Sequence, residues 1–137
     1  MLFDESRKGG MYIHVPCCLK KCAYCNFYSV SDAGLITAYV KALCKEIEFT
    51  GRTVSSDIFA ADTLYFGGGT PSMLGPEQIG VILEAVRCNF ALSPQSEITL
   101  EVNPATADFA KLKAYREVGV NRLSIGMQSF DDTMLKM

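Results

Sequence analysis

The alternation of short β-type runs with amphipathic helical stretches constrains this chain more than any other feature. Residues 12–15 form an apolar-rich run ended by Pro16. Ile36, Tyr39, Val40, Leu43 and Ile47 then recur at helical spacing between residues 35 and 49. Residues 63–66 read as a second strand, closed by Gly67-Gly68-Gly69-Thr70-Pro71. Pro76 and Glu77 suit a helix start, and Ile79, Leu83, Val86 and Phe90 supply its buried stripe. A third strand over 97–102 ends at Asn103-Pro104. Phe109, Leu112, Tyr115 and Val118 mark a third helix, with Gly119 placed to terminate it. Residues 122–125 are a fourth strand left by Gly126-Met127-Gln128-Ser129, and Asp131 or Asp132 suits the cap of a further helix.

Strands separated by helices of this length predict an α/β fold with parallel pairing through right-handed crossovers. The units show no self-similarity in sequence. Residues 1–10 read as a short N-terminal extension and 11–137 as one core. The pattern breaks off after the fourth strand, so the expectation is the N-terminal part of a larger, partial TIM-like (β/α) barrel with about four strands present, truncated at its C-terminal end.

Composition narrows the function classes. Hydrophobic residues are 49% and charged residues 20% of 137, which excludes a disordered chain. A net charge of −2 provides no basic face for a polyanion, so nucleic acid is not expected as a partner. No stretch reaches the roughly 20 apolar residues of a membrane helix, and the opening residues lack a secretory apolar region. Six cysteines in such a chain argue for metal or redox use rather than disulfides, with the cytoplasm as the expected compartment.

Cys18, Cys22 and Cys25 form a C-x3-C-x2-C run in the loop after the first strand. Three thiolates without a fourth can clamp a metal centre and leave one coordination position open, as sites that do chemistry do. Thiolates are the ligands of iron–sulfur clusters, so a cubane held this way keeps one iron for a small molecule. Functional groups in parallel α/β folds gather where strands end. Here the exits carry the cysteine loop, the glycine turn, Glu101 and Gln128, which would converge on one rim. The glycine turn lets backbone approach a ligand closely. It matches neither a phosphate loop nor G-x-G-x-x-G, and taken alone it is equally a tight turn.

Tyr12-Ile13-His14-Val15-Pro16 leading into Cys18-x3-Cys22-x2-Cys25 resembles the radical S-adenosylmethionine (SAM) superfamily. With residues 64–72 (LYFGGGTPS), Glu101-Val102-Asn103-Pro104 and residues 122–130 (RLSIGMQSF), the similarity narrows to the oxygen-independent coproporphyrinogen III oxidase group, including its heme chaperone branch. It runs from Tyr12 to the last residue. The resemblance implies that Cys18, Cys22 and Cys25 bind three irons of a 4Fe-4S cluster whose fourth iron takes the amino and carboxylate groups of SAM. It implies that Gly68, Gly69 and Thr70 line the methionine part of SAM, and that Glu101, Gln128, Tyr12 and Tyr24 contact it. The family's chemistry is reductive cleavage of the sulfonium to a 5′-deoxyadenosyl radical that abstracts hydrogen from a substrate. Cluster potentials span roughly −700 to +450 mV, and SAM reduction needs the low end. Phe27 and Tyr28 are expected to shelter the cluster from water.

Two positions depart from the family pattern. Cys17 stands where an aromatic residue is usual; it is either a packed thiol or a rival ligand in a C-x4-C-x2-C register. Phe27 stands where the coproporphyrinogen dehydrogenases carry a further cysteine, which favours the heme chaperone branch. That reading implies heme or porphyrin as a ligand of the full-length protein and a heme-acceptor protein as partner. The alternative is oxidative decarboxylation of coproporphyrinogen III to protoporphyrinogen IX, and a third reading is a non-catalytic, metal-stabilised fragment. No catalytic residue is assigned, and the chain as it stands is expected to catalyse nothing. His14 is either packed and hydrogen-bonded or placed near the cluster or heme, and a Cys3His zinc site using it with the loop cysteines is set back by a spacing across Pro16 that fits no finger pattern. Cys44 and Cys88 read as helix fillers, Met73 and Met127 as core or pocket rim, and Arg122 either as a partner for a strand-end carboxylate such as Glu101 or as support for the barrel rim.

Overall fold

The computed structural model describes residues 8–22, 24–53 and 60–134. Its elements run β1 (Lys8–Val15), α1 (Ile36–Thr53), β2 (Ala60–Gly68), α2 (Pro76–Asn89), β3 (Ala91–Val102), α3 (Phe109–Val118) and β4 (Arg122–Ile125). The strands form one parallel sheet in the order β1-β2-β3-β4. Each strand therefore pairs with its sequence neighbour after a helical crossover, as the alternation predicts.

Three strands are longer than their apolar runs. β1 begins at Lys8, β2 at Ala60 and β3 at Ala91, because pairing carries on through glycine and polar residues that interrupt the apolar pattern, as at Gly9-Gly10 and Ser93-Pro94-Gln95-Ser96. Gly9 and Gly10 thus pair with Ala61 and Thr63, inside the segment expected to be an extension, while residues 1–7 lie outside the described ones. The expected helix beyond the fourth strand starts only as a turn, where Asp131 Oδ1 accepts from the Thr133 amide at 2.8 Å; residues 135–137 are not among those described.

Alternation divides the sheet into two unlike faces. Ile13, Val15, Leu64, Phe66, Ile98, Leu100 and Val102 are buried and join Ile79, Ile82, Leu83 and Val86 of α2 in one core. Val40 and Ile47 of α1 and Tyr115 of α3 complete it. Burying a side chain such as Phe66 or Leu83 contributes about 1.5–3 kcal/mol. The opposite face carries Tyr12, His14, Thr63, Tyr65, Glu97, Thr99, Glu101, Arg122 and Ser124, and register aligns Tyr12 with Tyr65, Tyr65 with Thr99, and Thr99 with Arg122. Parallel pairing then puts all four strand exits at one end of the sheet.

The helices obey their termini. Gly75 precedes Pro76 and donates its amide to Gln78 Oε1 at 2.7 Å. Asp108 caps α3 by accepting from Lys111 N at 2.8 Å, and Gly119 ends it at φ +121°. Phe109 does not join the buried stripe of α3: it is the first helical residue and stands 83% exposed. Among the described residues no helix is long and apolar enough to cross a membrane.

Candidate cofactor site

The cysteine loop leaves β1 through Pro16 and returns beside it. Val30 N donates to Pro16 O at 2.7 Å and Cys18 N to Val30 O at 3.0 Å, so residues 17 and 30 close the loop with a parallel bridge. His14 Nε2 lies 3.0 Å from Tyr28 O; a carbonyl only accepts, so this nitrogen carries the proton. Its Nδ1 then accepts from the Tyr12 hydroxyl at 3.2 Å. His14 is thus a loop fastener with both nitrogens engaged, and a Cys3His zinc site loses its fourth ligand.

Cys17 is buried at 5% exposure, belongs to the core, and burial raises its thiol pKa. It is the packed thiol of the two readings. Cys18 is half-buried, and its Sγ donates to Lys20 O at 3.1 Å while accepting from Thr70 Oγ1 at 3.6 Å. Cys22 is exposed and Cys25 half-buried, with Cys25 N bonded to Cys22 O at 3.1 Å. The Tyr24 phenol is held above its ordinary value by its bond to Cys22, then by the nearby charges of Cys22 and Cys25. Cys18 faces the glycine turn through that Thr70 contact. Among the described residues no three His, Cys, Asp or Glu side chains converge on a single ion. A cubane asks for something else, namely one thiolate on each of three separate irons, and three free thiols spread along one exposed loop suit that donor set. Phe27 and Tyr28, expected to shelter such a centre, are instead 60% and 73% exposed, and the tie of this segment to β1 is through the Tyr28 carbonyl on His14.

The glycine turn is pressed against the same loop. Gly69 N donates to Val15 O at 2.8 Å and Thr70 N to Cys17 O at 2.7 Å. Gly68 has φ +122°, and a Cβ on it would lie 2.8 Å from Val15 O. A Cβ on Gly69 would lie 2.7 Å from Cys17 O and 3.0 Å from Pro16 O. These obstacles are backbone atoms, so no side-chain rotation relieves them. From β3, Glu101 reaches over: its Oε2 accepts from Gly68 N at 3.1 Å and its Oε1 from the Tyr65 hydroxyl at 2.7 Å.

Gly69, Thr70, Glu101, Val102, Ser124 and Gln128 line a cleft of about 210 Å³ at the exits of β2, β3 and β4. Tyr24 connects the cysteine loop to it, donating to Gln128 Oε1 at 3.2 Å. Tyr12 stands apart, stacked on Tyr65 at 6.0 Å with 17° between ring planes, on the open face below the cleft. A larger groove of about 760 Å³ lies between α1 and α2, lined by residues of those two helices and by none of the strands.

Several neighbours carry no motif signal. Ser72, fully buried, accepts the Asn103 amide on its Oγ at 3.0 Å, and its carbonyl accepts from Lys111 Nζ at 2.7 Å. Tyr115 donates to Leu74 O at 2.5 Å, so α3 locks the segment after the glycine turn to the exit of β3. Arg122 does not reach Glu101: it pairs with Glu97 at 3.4 Å and bonds Thr99 Oγ1 at 3.2 Å, since register sets it opposite Thr99 and sets Ser124 opposite Glu101. Only the period-2 placement of Tyr65, on the face that bears Glu101, hints in sequence at its role.

The sequence profile of the radical SAM superfamily matches residues 12–137. The chain is 41% identical over 132 residues to the mitochondrial radical S-adenosyl methionine domain-containing protein 1 of Bos taurus, covering 96% of this chain and 30% of that protein. It is 38% identical over 134 residues to the heme chaperone HemW of Escherichia coli, covering 93% and 34%. Among solved structures it matches the Escherichia coli coproporphyrinogen III oxidase HemN, described as a radical SAM enzyme, with a TM-score of 0.85 and 30% identity over 95% of this chain and 30% of that one. The chain thus spans about a third of the length of these relatives.

Proposed function

The chain belongs to the radical SAM superfamily, and from that premise we propose that Cys18, Cys22 and Cys25 hold a 4Fe-4S cluster beside a SAM site made by Gly68, Gly69, Thr70, Glu101 and Gln128. The observation that carries this reading is the direct bonding of the two loops: Thr70 touches Cys17 through its amide and Cys18 through its hydroxyl. A ligand reaching from the thiols to the glycine turn would meet both at once.

Within that site each residue has a separable task. The glycine turn brings its backbone directly against that of the cysteine loop, and Glu101 offers a fixed carboxylate to a donor on the ligand. Tyr24 and Gln128 bridge the cysteine loop to the far wall and narrow the path between them. When bound, the cluster and SAM supply one-electron reductive chemistry; the protein contributes position and environment. The described cysteines are all free, which suits a reducing compartment.

For the whole protein we favour the heme chaperone branch over the oxidase. Phe27 supplies no further thiol after the cluster loop, and this position carries the preference, since a HemW relative and an oxidase relative are alike 38% identical to the chain. Heme and a heme-acceptor protein are then the partners. Anaerobic reconstitution of the full-length protein should give a cubane EPR signal after reduction that changes on adding SAM. Heme titration should saturate, and the heme should pass to an apo-hemoprotein. Decarboxylation of coproporphyrinogen III without heme uptake would overturn the chaperone reading, and absence of both EPR signal and SAM binding would overturn the site.

A further inference from the structure

We propose that Tyr65 is a positioning residue for the cofactor cleft, acting through Glu101 to preset the Gly68 turn before a ligand arrives. The inference rests on the SAM-site reading above. Tyr65 lies on β2, three residues before Gly68, and donates to Glu101 Oε1 at 2.7 Å; the other oxygen of the same carboxylate accepts from Gly68 N at 3.1 Å. Two points of one strand therefore grip a single side chain of its neighbour. Tyr65 does not line the cleft, whereas Glu101 does, so any effect on a ligand passes through the carboxylate.

An ionised carboxylate has about four acceptor positions, and the protein occupies two of them here. Fixing both oxygens leaves the remaining positions aimed by the protein rather than by the ligand. The terminal torsion of a glutamate is otherwise broad, so without the phenol the carboxylate can turn and release the Gly68 amide. Gly68 pays for this release most directly, because its φ of +122° is kept by the contacts around it. Burial, and then the bond to Glu101, hold the Tyr65 phenol above its ordinary value, so it remains a donor at neutral pH. Arg122 makes its polar contacts to Glu97 and Thr99 rather than to Glu101. The ring itself is held independently by its stack on Tyr12.

The test is Tyr65→Phe in the full-length protein, which keeps the ring and removes the donor. In the ligand-free protein, hydrogen exchange at the Gly68 amide should accelerate about tenfold, while exchange at Leu83 and Val86 in α2 stays unchanged. In the reconstituted protein, iron per chain should be unchanged and the Kd for SAM about tenfold weaker, the size expected for losing one charge-assisted bond. Glu101→Gln should also accelerate Gly68 exchange, and this second variant decides the clamp if the first does not fold. Unchanged Gly68 exchange in both overturns the proposal, as does faster exchange with unaltered SAM affinity, which would make Tyr65 merely structural. If unmodified protein fails to bind SAM, the functional reading falls instead, and the exchange data still decide whether Tyr65 holds the turn.

Discussion

Four neighbouring thiols in one short segment have unlike fates, and burial separates them. Cys17 points into the core, where desolvation disfavours its thiolate, while on the loop Cys22 is exposed and Cys18 and Cys25 are half-buried. Cys17→Ala should therefore retain the full iron and sulfide content of reconstituted protein while losing about 1 kcal/mol of stability to a small cavity. Cys18→Ala, Cys22→Ala and Cys25→Ala should each lose most of the iron. Iron and sulfide analysis beside denaturant midpoints checks both halves; iron loss in Cys17→Ala would move the ligand register by one residue. The motif spacing alone left that register open, because two adjacent cysteines are indistinguishable in a string of letters.

Among the elements, α3 does more than its modest apolar stripe announces. Tyr115, wholly buried, donates to Leu74 O, and Lys111 donates to Ser72 O and Thr106 O at 2.7 and 2.9 Å. Removing the hydroxyl in Tyr115→Phe strands a buried carbonyl and should cost about 1–3 kcal/mol. Burial raises the Tyr115 phenol pKa, and Tyr39, bonded to His14 O at 2.7 Å, is raised for the same first reason. A raised folded value means the unfolded chain gives up its proton first. The stability carried by these phenols is thus complete below about pH 10 and lost as pH climbs above it. Urea midpoints between about pH 9 and 11 should fall in the wild type and fall less in Tyr115→Phe. Burial also lowers the Lys111 pKa, which works in the opposite sense over the alkaline range, so the Tyr115→Phe comparison isolates the phenol.

At the scale of the whole molecule, the sheet and the cysteine loop are separate in stability. The sheet is anchored by the α2 core, whereas the loop is held at its base by the Val30 and Thr70 bonds and further out by His14 on Tyr28 O and Tyr24 on Gln128. Removing the cluster should leave the circular dichroism and thermal midpoint of the sheet nearly unchanged. It should expose residues 19–28, where Leu19, Phe27 and Tyr28 already face solvent, to chymotryptic cleavage. Reconstitution should restore protection there. Equal cleavage with and without the cluster would mean that the loop does not close on metal.

The order of elements, their parallel pairing and the gathering of motifs at strand exits were legible in the sequence, since hydrophobic period and turn residues are local properties. β4 begins and ends where its apolar run does, but β3 extends six residues further back, because Ala91 and Leu92 pair with Ala60 and Ala61 beyond the polar break at residues 93–96. The partner of Arg122, the burial of Cys17 and the grip of Tyr65 on Glu101 were settled only by register and close packing across strands. Those contacts join residues up to 36 positions apart. No local pattern encodes them, because which side chains meet depends on how neighbouring strands align once the core has formed.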